Sequence, residues 1–186
     1  MKRCDWANLN KTLQNYHDNE WSICEFSDYK LFEVLCLEIM QAGLSWDIIL
    51  KKRKFLKQAF NNFDFSLVKN YDSNKIDNLL INEKIIRNKS KILSIINNAK
   101  ILYNWKSIYN YSFSEYIWSF TNNKPIINFP KTHKDVQSLN FLSIQISKEL
   151  KTKGFKFIGP TIIYSFLQAI GVIDDHLIDC YKKNKQ

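Results

Sequence analysis

Glycine and proline are scarce, with four and three residues among 186. A fold made of strands and tight turns needs more of both, so their absence argues for helices. Missing too is any apolar run near the roughly 20 residues that span a bilayer. The opening Met1-Lys2-Arg3-Cys4-Asp5-Trp6 continues into polar residues where an export signal would place its apolar stretch. The expectation is a cytoplasmic protein that makes no use of a membrane. Cysteines number four, none in a Cys-x-x-Cys pair. In a reducing compartment they are buried hydrophobes, metal ligands or nucleophiles before they are disulfides. Arginine is reduced to Arg3, Arg53 and Arg87, so lysine carries most of the positive charge.

What is present is a globular composition, 45% apolar and 24% charged, able to bury a sizeable core in one domain spanning 1–186. A net charge of +9 favours polyanionic partners, with nucleic acid ahead of an anionic membrane surface. Phe32, Leu35, Cys36 and Ile39 follow the spacing of one apolar helix face, and Ile48, Ile49, Lys52, Phe55, Leu56 and Phe60 nearly repeat it. Further stripes run from Ile92 to Tyr103 and from Ile162 to Ile170. Ser45, Ser73 and Ser90 stand where these stripes need N-caps, while Gly159-Pro160 opens the last long helix and Gly171 closes it. Shorter helices are expected near 65–70, 113–120 and 138–151. Thr121 to Lys134, with Pro125 and Pro130, reads as the one long loop. No repeat or linker interrupts the chain, and the fold class is all-α.

Three constellations carry chemistry. Cys4 and His17 near one end, with His176 and Cys180 near the other, make a complete tetrahedral zinc set, and four protein ligands would make it structural. By spacing alone they are equally two unrelated thiols and two surface imidazoles. Glu38 lies three residues after Leu35, on the apolar border of its helix, and Gly43-Leu44-Ser45 then turns the chain so that Trp46 shares a corner with it. Trp6, Tyr16 and Trp21 add aromatic surface; an acid among such rings suits a flat, cationic ligand. The plainer reading is a glutamate beside core tryptophans. Finally, Arg87, Lys89 and Lys91 flank a helix start that follows the tight connection Asn82-Glu83-Lys84, an arrangement that fits a phosphate or simply a solvated basic turn.

Longer blocks then connect these fragments. They include Met-Lys-Arg-Cys-Asp-Trp at 1–6, Tyr-His-Asp-Asn-Glu-Trp at 16–21, Leu-Phe-Glu-Val-Leu-Cys-Leu-Glu at 31–38 and Gln-Ala-Gly-Leu-Ser-Trp at 41–46. Lys-Lys-Arg at 51–53, Ile-Ile-Arg at 85–87, Gly-Phe-Lys-Phe-Ile-Gly at 154–159, Tyr-Ser-Phe-Leu-Gln-Ala at 164–169 and Asp-Asp-His at 174–176 continue them. Nearly end to end, the chain resembles the bacterial DNA-3-methyladenine glycosylase I family. The resemblance implies a helix-hairpin-helix glycosylase fold, with the hairpin near 71–99 and a structural zinc joining 1–20 to 172–186 through Cys4, His17, His176 and Cys180. It implies release of 3-methyladenine from alkylated double-stranded DNA by base-excision repair, with the free base as product. Glu38 and Tyr16 would bond the excised base as the catalytic pair, Trp46 would stack on it, and Trp6 and Trp21 would line the pocket. Gly43 and Leu44 would face the DNA gap, with Arg87, Lys89 and Lys91 on phosphates. A monomer acting in the bacterial cytoplasm at the nucleoid is expected. The connection at 82–84 lacks the glycine usual in such hairpins, and the tail after Cys180 is lysine-rich where the family often has more cysteines. No aspartate stands out in the sequence as a water-activating group. A zinc-stapled module that binds damaged DNA without cutting, or a protein-interaction domain, is the alternative.

Overall fold

The computed structural model describes residues 1–183, so the last three residues of the lysine-rich tail lie outside the described part. Its helices are α1 (Lys11–Asn19), α2 (Asp28–Gln41), α3 (Trp46–Ala59), α4 (Phe65–Val68), α5 (Ser73–Ile81), α6 (Lys89–Ile108), α7 (Phe113–Ser119), α8 (Phe141–Thr152) and α9 (Pro160–Ala169). Short 3-10 turns cover Asp5–Asn8, Asn61–Phe63 and His133–Asp135. No helix among the described residues is long and apolar enough to cross a membrane.

The central helix is α2. Leu31, Phe32, Leu35, Cys36, Ile39 and Met40 are all fully buried, and a helix apolar on nearly every side must be enclosed. It packs against α3, α6, α7 and α9. The stripes expected on α6 and α9 are likewise in the core, with Ile92, Ile95, Ala99 and Leu102 on the first and Ile163, Phe166 and Leu167 on the second.

Helix starts are set by the best available acceptor. Ser45 caps α3 as expected, its hydroxyl accepting from Ile48 N at 3.4 Å. Elsewhere the expected serines are displaced. Asp72, not Ser73, caps α5, and Asn88, not Ser90, caps α6, because a side-chain oxygen one or two residues upstream already satisfies the first turn. Gly159 and Pro160 begin α9. Gly171 then turns the chain at φ +79°, where a Cβ would come within 2.6 Å of the Cys24 amide nitrogen, so only glycine fits.

The stretch expected to be a loop is partly ordered. Strand β1 (Ile126–Ile127) pairs in parallel with β2 (Ile173–Asp174). Two residues per strand leave no alternation to detect, so nothing in the sequence announced them. The pairing holds the segment that leads into His176 against the body of the protein. Between α5 and α6 lies a seven-residue connection, 82–88, whose Glu83 and Lys84 carbonyls accept from Lys52 Nζ at 3.2 and 3.0 Å.

Candidate active site

A cavity of about 500 Å³ opens where α1, α2, α3 and α9 converge. Tyr16 reaches it from α1, Glu38 from α2 and Trp46 from the first position of α3. Trp6 comes from the N-terminal 3-10 turn, and Trp21 from the turn after α1. All five aromatic and acidic residues expected in the pocket therefore line one space. Asn10, the N-cap of α1, donates to Asp47 Oδ1 at 2.8 Å and so ties the start of α3 to α1. Arg53 bonds both Glu20 and Glu33 further along the same seam. These bonds fix Tyr16 beside Trp46, with ring centroids 5.3 Å apart. Trp6 meets Trp21 edge-on at 5.1 Å.

Glu38 is 5% exposed, and no described residue hydrogen-bonds its carboxyl group. Burial alone pushes its pKa up to about 8, so the cavity holds it mostly as the neutral acid at pH 7. Burial also lifts the Tyr16 hydroxyl well above its ordinary value, helped by the charge of Glu38. The indole Nε1 of Trp46 is buried without an acceptor. An unpaired acid and an unpaired N–H in one aromatic cleft are costly in an empty protein and become useful when a polar, planar ligand supplies the partners.

At the rim, between cavity-lining Gln41 and Ser45, Gly43 adopts φ +80° with open space around it, and Leu44 projects with 38% exposure. The basic cluster at the hairpin divides. Arg87 and Lys89 face solvent, whereas Lys91, grouped with them in the sequence, is a correction. Its side chain is 5% exposed and its Nζ donates to Met40 O at 2.9 Å and Ala42 O at 2.6 Å. The orphan carbonyls at the end of α2 take up its charge, leaving none for a phosphate.

Behind Trp6 and Trp21 lies the cluster of cysteines and histidines. The ligand atoms of Cys4, His17 and Cys180 lie within 4.8 Å of one another, all buried, a group that could hold a metal ion. His176 adjoins them, its ring 5.0 Å from that of His17 and 4.6 Å from that of Trp21. Each histidine is oriented by a neighbouring carboxylate, with Nδ1 of His17 2.9 Å from Asp18 and Nδ1 of His176 2.8 Å from Asp174. Each Nε2 thus keeps a lone pair that a metal could take: that of His17 lies 3.3 Å from Cys180 Sγ, and that of His176 is buried without a partner. The two thiols and the His17 imidazole converge as a divalent metal requires, with the orphaned His176 Nε2 beside them. Without one, burial pushes the Cys4 thiol up to about 12.

Residues 6–183 match the model of the methyladenine glycosylase family. The chain belongs to that family. It is 42% identical over 178 residues to a DNA-3-methyladenine glycosylase of Haemophilus influenzae, covering 96% of each chain. It is also 39% identical to DNA-3-methyladenine glycosylase 1 of Escherichia coli K12 over the full length of both. A solved 3-methyladenine DNA glycosylase I from Staphylococcus aureus superposes with a TM-score of 0.93 at 35% identity, over 100% of this chain and 98% of that one. Another solved family structure, of a tyrosine-to-phenylalanine variant in complex with 3-methyladenine, superposes equally well at 35% identity over 100% of both chains.

The cavity of this family member also contains residues to which sequence reasoning gave no role. Ser165, Gln168 and Asp175 line it beside the expected aromatics. Two blocks of the resemblance, 164–169 and 174–176, contain them, but only His176 was singled out. The available signal is the polar stripe of Thr161, Tyr164, Ser165 and Gln168 on a helix whose other positions past its opening proline are apolar.

Proposed function

We infer that the protein excises 3-methyladenine from alkylated double-stranded DNA, hydrolysing the N-glycosidic bond in the first step of base-excision repair and releasing the free base. One observation carries this reading: a buried, unpartnered Glu38 inside an aromatic cavity, in a chain whose relatives are named for that reaction. Methylation at N3 makes adenine a cation, so the glycosidic bond is already weakened. Water adds at the sugar carbon and gives up one proton to solvent, and the bonding pair leaves with the base, which departs neutral. Extruding the nucleotide costs a few kcal/mol, least for a damaged base, and the cavity repays it by stacking and hydrogen bonding.

Glu38 supplies the discrimination. A cationic ring beside it favours the ionised carboxyl, so the proton held in the empty site departs and an ion pair forms in a low-dielectric pocket. Neutral adenine leaves the burial cost of that carboxylate uncompensated. Trp46 offers the stacking face, Tyr16 a hydroxyl at the base edge, and Trp6 and Trp21 the remaining walls. In this reading α5, its connection and α6 form the helix-hairpin-helix element near 71–99, Arg87 and Lys89 meet phosphates, and Gly43 with Leu44 occupy the gap in the stack. Cys4, His17, His176 and Cys180 would hold one zinc, which when bound is a closed four-ligand tether between the chain ends with no open position for chemistry. The protein would act as a monomer in the bacterial cytoplasm, at the nucleoid.

The test is incubation of the purified protein with methylated duplex DNA and identification of the bases set free. Release of 3-methyladenine above the uncatalysed rate is expected. Duplex binding without base release would instead assign a non-catalytic module that recognises damaged DNA.

A further inference from the structure

The wall of the cavity that holds the unpaired acid also has a polar group that is fully organised. Asp175 is 3% exposed and lines the cavity. Its Oδ2 accepts from the Tyr164 hydroxyl and from Gln168 Nε2, both at 2.7 Å, and its Oδ1 accepts from Asn128 Nδ2 at 2.8 Å. Three donors converge on one carboxylate, contributed by α9 and by the residue that follows β1. The arrangement determines which way the Gln168 amide is turned. A carboxylate only accepts, so the amide nitrogen must face Asp175 and the amide oxygen must face away. That oxygen, Oε1, has no hydrogen-bond partner among the described residues, yet Gln168 lines the same cavity as Glu38.

The chemistry of the base gives this second acceptor a use. The exocyclic amine of 3-methyladenine carries two N–H groups in the ring plane, and Glu38 with Tyr16 at one edge leaves one of them for another acceptor. We propose that Gln168 is a specificity-determining residue of the base pocket, its Oε1 accepting from the exocyclic amine, and that Asp175 is the positioning residue that holds the amide in this orientation. The proposal rests on the reading of the cavity as a base pocket. It predicts discrimination at one atom. A 3-methylated purine with a carbonyl oxygen in place of the amine, as in 3-methylguanine, brings acceptor against acceptor and is disfavoured. A site built around a buried hydrogen bond rejects a mismatched partner more strongly than shape alone does.

The experiment titrates free 3-methyladenine and free 3-methylguanine into the intact protein and into Gln168→Met, which keeps the length of the side chain and removes both polar atoms. Loss of one neutral hydrogen bond corresponds to a roughly five- to ten-fold weaker affinity for 3-methyladenine. The expected result is that loss with no loss for 3-methylguanine, so that the preference between the bases narrows, while the melting temperature is kept. Asp175→Asn should narrow the preference in the same way, and the two substitutions together should add little, since they act on one contact. Should Asp175→Asn fold poorly, the Gln168→Met pair of titrations decides. Equal weakening for both bases, or no change for either, overturns the role of Gln168. If the unaltered protein does not bind 3-methyladenine at all, the base pocket itself is misread and the proposal falls with it, an outcome distinct from the previous two.

Discussion

Glu38 is the residue at which packing and function conflict. Folding removes most of the solvent around a carboxyl group, and the resulting rise of its pKa to about 8 makes the conflict a stability term. In the folded protein the group stays protonated up to that pH, whereas in the unfolded chain it ionises near its ordinary value of 4.5. The folded state therefore holds an extra proton between those limits, and stability falls as pH rises from about 4.5 to about 8. Glu38→Gln has nothing to ionise there. Its unfolding free energy from urea titration, compared with that of the unaltered protein at pH 5 and pH 8, should gain by a few kcal/mol at the higher pH. The same substitution should lower kcat/KM for release of 3-methyladenine from methylated duplex by the equivalent of about 2–4 kcal/mol, because the carboxylate that pairs with the cationic ring is lost. Parallel pH curves with excision intact would make Glu38 an ordinary core residue. Its burial was legible in the sequence from its offset to Leu35. The inward turn of Lys91 was not, because a lysine that reaches buried carbonyls has the same local pattern as one in solvent.

Among the elements, α6 contributes in two separable ways. Lys91 closes the end of α2, and its replacement by Met would leave the Met40 and Ala42 carbonyls short of a partner, a loss of about 1–3 kcal/mol in a urea titration. Lys89, two residues earlier and exposed, should give no stability change on substitution with Ala. Its loss should reduce the salt slope of duplex binding by about one, the signature of a single phosphate contact. A salt slope that shifts for Lys91→Met and not for Lys89→Ala would reverse the assignment. Leu44→Ala belongs to the same scale, since the corner carrying Leu44 is anchored by Lys91. It should weaken binding to duplex with an abasic gap more than to intact duplex, and equal losses would reduce Leu44 to packing. The long helices were legible here because apolar spacing survives in the core. The caps of α5 and α6 and the β1–β2 pair were not, because each is decided by one or two residues competing for the same hydrogen bonds.

Over the whole molecule, the two ends of the chain are fastened to each other beside the pocket. Lys2 pairs with Asp179, Tyr181 N donates to Lys2 O at 2.9 Å, and Lys182 Nζ donates to Asp18 O at 2.9 Å, while Arg3 braces Asp18 with a bidentate pair. Inside this clasp the Cys4, His17 and Cys180 ligand atoms wait within 4.8 Å of one another. A bound cation would favour the ionised Cys4 thiol at neutral pH, which burial alone opposes. Because Trp6 sits against His17 at 5.3 Å and Trp21 against His176 at 4.6 Å, the cluster is also the rear wall of the cavity. Metal content and pocket order should therefore change together. Elemental analysis of the purified protein should find one zinc per chain. Chelation, or Cys180→Ala, should lower the melting temperature markedly, because binding energy at a closed four-ligand site is folding energy. Tryptophan emission should shift to the red as Trp6 and Trp21 lose their backing, while Glu38 and Trp46, held by α2 and α3, keep part of the affinity for 3-methyladenine. A metal-free protein with the same melting temperature and the same emission would leave the clasp of ion pairs and backbone bonds as the whole of the connection.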